Sequence, residues 1–330
     1  MRLLRWIWPG LLFLAVSSSA AEGLAPGSNP EPGPTLVRVK AFLVDVDDIS
    51  SVQQNFTASL YLEFRWREPQ LVREGPRSGT MLPSESRYPQ FKIVNSQRVW
   101  DTFEGRIRVS PEGELVLRRR LWGQFSQPLD LVDFPFDRHT FEIQISAVAR
   151  PERLRFIPDP EKPSGIADTL SIADWELSNF RTESRDYEPI PGEHKLPGFL
   201  ISFEAKRRSS HYVVKVVIPL ILIVAMSWVV FWIDPQEAGS QIGVAVTTML
   251  TLIAYRFAVG SELPNIHYLT RMDEFLLGST VLVFASLVEV VVTSSLARGD
   301  QLERARRVDR WARWIFPLGF ALLTLHAFAL

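Results

Sequence analysis

The sequence predicts an all-β, immunoglobulin-like extracellular sandwich followed by a four-helix transmembrane bundle. Three observations predict it. The N-terminus reads as an export signal, the middle of the chain is a series of short alternating segments broken by Pro, Gly and Asp, and the last third holds four long apolar stretches. With 330 residues there is room for about two domains.

The leader comes first. Met1-Arg2-Leu3-Leu4-Arg5 supplies positive charge, Trp6 to Val16 an apolar run, and Ser17 to Ala21 small residues ahead of Glu22. The run is too short to span a bilayer core of ~30 Å, which takes about 20 apolar residues. Residues 1–21 are therefore expected to be a signal peptide cleaved after Ala20 or Ala21, with an uncleaved anchor as the alternative. Residues 22–34, rich in Pro and Gly, are expected to be a flexible segment.

The sandwich is expected over 35–208. Val37–Val44, Ala58–Trp66, Arg106–Val109, Glu114–Arg118, Thr140–Ile145 and Phe199–Glu204 read as strands, because apolar and polar residues alternate with turn residues between them. No long helical period interrupts this half.

From 209 to 330 the character changes. Spans are expected at about 211–233, 239–261, 273–297 and 310–330, each near the length a crossing helix needs. Pro219 and Pro317 fall inside two of them, where neighbouring helices can satisfy the freed carbonyls. An exported sandwich puts the loop between spans three and four inside. That loop carries Arg298, Arg304, Arg306, Arg307 and Arg310, as positive charge on the inner side requires. The expected address is the cell (inner) membrane, multi-pass, with the N-terminal domain outside.

The second span is patterned unlike the others. Gly239, Gly243, Thr247, Leu250, Ala254, Phe257 and Ser261 share one helical stripe, small and hydroxylic at one end and bulky toward the other. A plain anchor has no use for such order, whereas a helix lining a water-filled path does.

Composition excludes other classes. The net charge is −1, which offers nothing to nucleic acid, and the absence of cysteine rules out disulfides, thiolate metal sites and cysteine nucleophiles. The five histidines (His139, His194, His211, His267 and His326) are scattered, with no pair at metal spacing and no nucleophile pattern. An enzyme is not expected, nor any cofactor.

Several motifs then stand together in order. Phe134-Pro135-Phe136-Asp137 forms a loop motif flanked by Gln127 and Phe141, Tyr61 and Trp66 lie five apart, and Arg207 lies twelve before Pro219. Leu263-Pro264 closes the second span, and a short arginine-rich loop precedes the fourth. On these residues the chain resembles the pentameric ligand-gated ion channels, the Cys-loop receptor superfamily. The branch it resembles is the prokaryotic one, with Gln127 and Phe141 where animal members carry their two cysteines. The resemblance runs from about Thr35 to Leu330.

The resemblance implies a homopentamer in the lipid bilayer, gated by a small-molecule agonist or protons and passing inorganic ions. It implies that the second span lines the pore, and its register coincides with the stripe. Leu250 and Phe257 would then form apolar rings that exclude water, above a polar Thr247. The acid nearest the inner mouth is Glu237, followed by Asp234, while Ser240 and Gln241 fill the adjoining positions. With no basic residue there, monovalent cations are the expected permeant ions and Glu237 the selectivity candidate. The implied ligand positions are Tyr61, Val94, Val148 and Tyr187, a box poor in aromatics, with Phe91 and Phe125 as further candidates. An acid, a small neutral molecule or protons stay open as agonists. The implied coupling residues are Asp137, Arg207 and Pro264, near the Asp48–Asn55 loop. Arg256 is expected to pair with Asp273 or Glu274, and Glu289 to find a structural partner. The alternative is a membrane-anchored sensory protein that binds a ligand and conducts nothing.

Overall fold

The computed structural model describes residues 34–68, 79–82, 90–103, 105–148, 154–260 and 266–329. The expected leader, all but the last residue of the 22–34 segment, and Ser261 and Pro264 lie outside the described residues.

Among the described residues, twelve strands make the first layered unit: β1 (Thr35–Ser50), β2 (Asn55–Arg67), β3 (Gly79–Met81), β4 (Phe91–Ile93), β5 (Ser96–Asp101), β6 (Ile107–Val109), β7 (Glu114–Ser126), β8 (Arg138–Ala147), β9 (Leu154–Pro158), β10 (Gly165–Ile166), β11 (Trp175–Ser184) and β12 (Gly198–Arg207). They form two sheets. One runs β10-β1-β2-β7-β6-β3, with β5 also on β7 and β9 on β1, and the other runs β11-β12-β8-β4. Most pairings are antiparallel; β9 and β10 join β1 in parallel.

Alternation explains the layering. On β2 the even residues Leu60, Leu62, Phe64 and Trp66 are buried, while Tyr61 and Arg65 are half-buried on the opposite face. Phe141, Ile143 and Ile145 of β8 and Ile201 and Phe203 of β12 close the core from the other sheet. Phe56 lies at its centre, with Phe125, Phe141 and Phe203 at ring separations of 5.3, 5.1 and 5.7 Å. Asn95 pins the crossover between the sheets, donating to the Ser126 and Glu142 carbonyls and accepting from the Gln144 amide.

Four helices follow: α1 (Ser210–Trp232), α2 (Ala238–Gly260), α3 (Arg271–Arg298) and α4 (Leu302–Ala329). The first three are long and apolar enough to cross a membrane. The fourth is as long as α3, but its opening turns carry the arginines of the preceding basic loop. Helix α1 is not uniform: it takes a π turn at Val213–Val217, just ahead of Pro219, and ends in a 3-10 turn at Val229–Trp232. Its terminal carbonyls find partners on other helices. Gln241 donates to the Val230 and Ile233 carbonyls, and Arg313 to that of Phe231. A capping box at Thr270 and Asp273 starts α3.

Candidate functional site

The second-span stripe can be placed on α2. The face buried against the rest of the chain is Gln241, Ala245, Thr248, Leu252 and Val259. At about 100° per residue, Gly239, Gly243, Thr247, Leu250, Ala254 and Phe257 centre roughly half a turn away from that face. All six are exposed, Leu250 at 61% and Phe257 at 82%. A Cβ added to Gly239 or Gly243 would meet nothing within 4 Å. These glycines therefore answer no packing demand inside the chain. The Thr247 hydroxyl donates back to the Gly243 carbonyl at 2.7 Å, which leaves its oxygen lone pairs outward.

Rotation of α2 is set by polar contacts on the buried face. Besides its bonds to α1, the Gln241 oxygen accepts from Ser294 of α3 at 3.5 Å. Gln241 is thus turned into the bundle, whereas Ser240 is exposed. Near the other end, the Tyr255 phenol donates to the Val216 carbonyl.

The inner link is a turn. The Glu237 amide donates to the Asp234 carbonyl, and the Glu237 carbonyl accepts the Gln241 amide, so Glu237 stands immediately before α2 with an exposed side chain. Asp234 is engaged by Arg306 of α4 at 2.9 Å. That pairing and the Gln236 amide hold its carboxyl below the ordinary range.

One expectation about charges inside the spans is corrected, that for Arg256. Among the described residues Arg256 reaches Thr280 of α3, at 3.4 Å, and neither Asp273 nor Glu274. Asp273 is taken by the Thr270 cap and Glu274 lies 3.9 Å from His326. Glu289 faces the carboxyl of Asp309 on α4, so its neighbour is another acid, with Arg313 one turn further along.

Of the expected coupling residues, Asp137 and Arg207 meet. Arg207, at the end of β12, donates Nε and Nη2 to Asp137 at 2.7 and 3.0 Å and Nη2 to Ser51 at 2.7 Å. Its guanidinium lies over Trp175 at 4.1 Å and Phe134 at 5.0 Å. His139, not anticipated from the sequence, brings Nε2 to Asp137 at 2.7 Å. Burial raises the Asp137 pKa, but the bonds from His139 and Arg207 outweigh it and hold the carboxyl below its usual value. The same loop rests on the helices. Tyr268 accepts from the Leu131 amide, Arg271 donates its amide to the Val132 carbonyl and pairs with Asp133 at 2.8 Å, and Phe134 packs on Tyr212 at 4.8 Å.

The ligand candidates fall on different sheets. Val94 sits in the turn after β4, Val148 follows β8 and is exposed, and Tyr187 pairs with Leu196 in a hairpin between β11 and β12. All three adjoin the four-stranded sheet, while Tyr61 is on β2 of the other. Within one chain they do not form a single box. Phe125 is corrected outright: it is fully buried in the core and cannot reach a ligand. Phe91 is half-buried against Phe64, at 4.2 Å, under the Arg119 guanidinium.

Beside Tyr61 lies a charged cluster that sequence reasoning missed. Glu63, 3% exposed, accepts from Arg65 at 2.8 Å, Arg118 at 2.7 Å, Lys162 at 3.2 Å and the Tyr61 hydroxyl at 3.2 Å. The partners lie up to 99 residues away, so no local motif announces them.

Residues 20–186 match the family model described as the neurotransmitter-gated ion-channel ligand binding domain, and 216–304 match the neurotransmitter-gated ion-channel transmembrane region. A proton-gated ion channel of Gloeobacter violaceus is 24% identical over 321 residues, covering 96% of this chain and 89% of the relative. The gamma-aminobutyric acid receptor subunit rho-3 of Homo sapiens is 24% identical over 303 residues, covering 88% of this chain and 64% of the relative. Subunit rho-2 of Bos taurus is 26% identical over 293 residues, covering 84% and 62%. The chain thus spans a little under two thirds of those two receptor subunits.

Proposed function

The chain belongs to the neurotransmitter-gated ion-channel family, and from that premise we propose that it is one subunit of a homopentameric channel whose pore is lined by α2. The observation that carries this reading is the phase of α2. Its patterned stripe is the face turned furthest from the subunit's own bundle, where an axis shared with other copies would run. Leu250 and Phe257 would close the path as apolar rings, because an ion cannot shed its water there. Thr247, Gly243 and Gly239 would keep the inner half polar and wide.

Four crossings are proposed, with α4 as the fourth and with the sandwich outside the inner membrane. Trp314, Ile315, Leu318, Leu322 and Leu325 of α4 are exposed apolar side chains that lipid would cover. The agonist, a small molecule or protons, would act between a Tyr61 wall on one subunit and a Val94, Val148 and Tyr187 wall on the next. The signal would pass through the Asp137–Arg207 pair and the loop on Tyr268, with Pro264 in the same linker.

Selectivity for monovalent cations is proposed on the inner mouth. Glu237 is exposed there, and the neighbouring Asp234 is partly neutralised by Arg306. Five Glu237 side chains around one axis would concentrate cations.

The test is current recording from the full chain in planar bilayers during a screen of small molecules and pH steps. Evoked current that reverses at the cation potential in asymmetric salt is expected. A folded, oligomeric protein that stays silent throughout would favour a tethered sensor that does not conduct.

A further inference from the structure

We propose that Glu289 of α3 and Asp309 of α4 bind a single proton between them, and that this proton, exchanged with the inner solution, seats α4 on α3. Its placement toward the inner side rests on the four proposed crossings, and nothing in it depends on conduction.

The absence of donors is the first argument. Both Glu289 carboxyl oxygens and Asp309 Oδ1 are buried, and among the described residues no donor reaches them. Asp309 is 2% exposed and faces Glu289 across the seam between the two helices. The hydroxyls one turn to either side of Glu289 are spent on their own helix. Ser286 donates to the Val283 carbonyl at 2.7 Å, and Thr293 to the Glu289 and Val290 carbonyls at 3.1 and 3.2 Å. The Gln241 amide of α2 is taken by α1. Two buried carboxylates facing each other would repel and would lack the hydration they need. One proton removes both penalties, because a carboxylic acid then donates to the carboxylate opposite.

The surrounding charges assign the proton. Arg313, one turn along α4, lies toward Asp309, but its Nε is spent on the Phe231 carbonyl at 2.9 Å and its guanidinium lies over the Trp232 ring at 5.4 Å. Asp234, from the link before α2, also faces Asp309 and is paired with Arg306 at 2.9 Å. Arg310, the next residue of α4, is exposed. The inner halves of α1 and α2 hold no titratable residue. Toward Glu289 the charged neighbour is Asp309. Glu289 therefore carries the proton, and Asp309, nearer the one cation, is the anion that accepts the bond. Asp309 lies about two turns from the start of α4, which makes the inner solution the nearer source. Loss of the proton would leave two adjacent anions in the seam and loosen α4.

The experiment is infrared spectroscopy of the full-length protein in lipid, with thermal unfolding of the same samples. Wild type should show the carbonyl stretch of a protonated carboxyl at neutral pH. Glu289→Gln should remove that band, and Asp309→Asn, which changes the group facing it, should shift or remove it; either variant serves should the other fail to fold. As the solution is made alkaline, the wild-type band should vanish and the unfolding midpoint fall with it, while the midpoint of Glu289→Gln stays level. No such band at neutral pH, the result if Arg313 or an inorganic cation neutralises two carboxylates, overturns the proposal. So does a band unchanged in both variants, or a midpoint that falls alike in wild type and Glu289→Gln. Neither readout uses current. The band in a protein that never conducts would keep this inference and remove the channel reading, and a conducting protein without it would do the opposite.

Discussion

The Tyr255 phenol of α2 donates to the Val216 carbonyl of α1 across 2.7 Å and lies 3.4 Å from that of Lys215. Lys215 is the residue whose carbonyl Pro219, four positions on, has no N–H to reach. The helix answers with a π turn, and the side chain of its neighbour takes the exposed oxygens. This contact fixes the outer half of α2 in rotation, as Gln241 fixes the inner half. With both ends held, the stripe from Gly239 to Phe257 can only point away from the bundle.

Tyr255→Phe should therefore lower stability by about 1 kcal/mol, the usual net value of one hydrogen bond. Equilibrium unfolding of the detergent-solubilised protein checks this, with Thr251→Ala on an exposed face of the same helix as a near-neutral control.

Leu250→Ala or Leu250→Thr should ease opening. Removing the apolar ring should lower the activating concentration on the order of tenfold, a change of ~1.4 kcal/mol in the closed-to-open balance. Concentration–response curves measure it, and an unchanged curve would move the gate elsewhere.

Arg207→Gln should cost about 3–5 kcal/mol, because the buried Asp137 carboxylate would lose its main cation. Chemical denaturation reads that loss. The pH dependence follows from the depressed Asp137 pKa. Its contribution is full above the unfolded-state value of about 3.9 and disappears as pH falls through the lower folded value. Wild type should lose stability in that acid window, and Asp137→Asn, weaker at neutral pH, should lose less there.

Glu237→Gln should reduce the preference for cations, seen as a reversal potential moving toward zero in asymmetric salt. Ser240→Glu, at an exposed position one turn closer to the stripe, should strengthen it.

Much of the fold was legible because burial imposes a period. The alternation over Ala58–Trp66 located β2, and Thr140–Ile145 located β8. Strand β7 was read only to Arg118, since Arg118-Arg119-Arg120 and Gly123 interrupt the apolar alternation although pairing with β2 continues to Ser126. Strand β11 escaped entirely. It is an edge strand with one buried residue, Trp175, so water imposes no pattern on it. In the site, the α2 stripe and the Asp137–Arg207 pair were legible from spacing and resemblance. The Glu63 cluster, the His139 contact and the Tyr255 bond were not, since each joins residues by register or packing that sequence neighbours do not reveal. Arg256 and Phe125 were misjudged for the same reason: partner choice depends on rotation about an element, and reach depends on which face of a strand is inward.

The absence of cysteine allows a direct measurement of the central claim. Single cysteines placed one at a time along α2 of the membrane-reconstituted protein can be labelled with a charged, membrane-impermeant thiol reagent. Gly243→Cys, Thr247→Cys, Leu250→Cys and Ala254→Cys should react, because that face meets water, while Thr248→Cys and Leu252→Cys, buried on the opposite face, should not. Equal reactivity around the helix, or labelling confined to positions 248 and 252, would contradict a pore lined by this stripe.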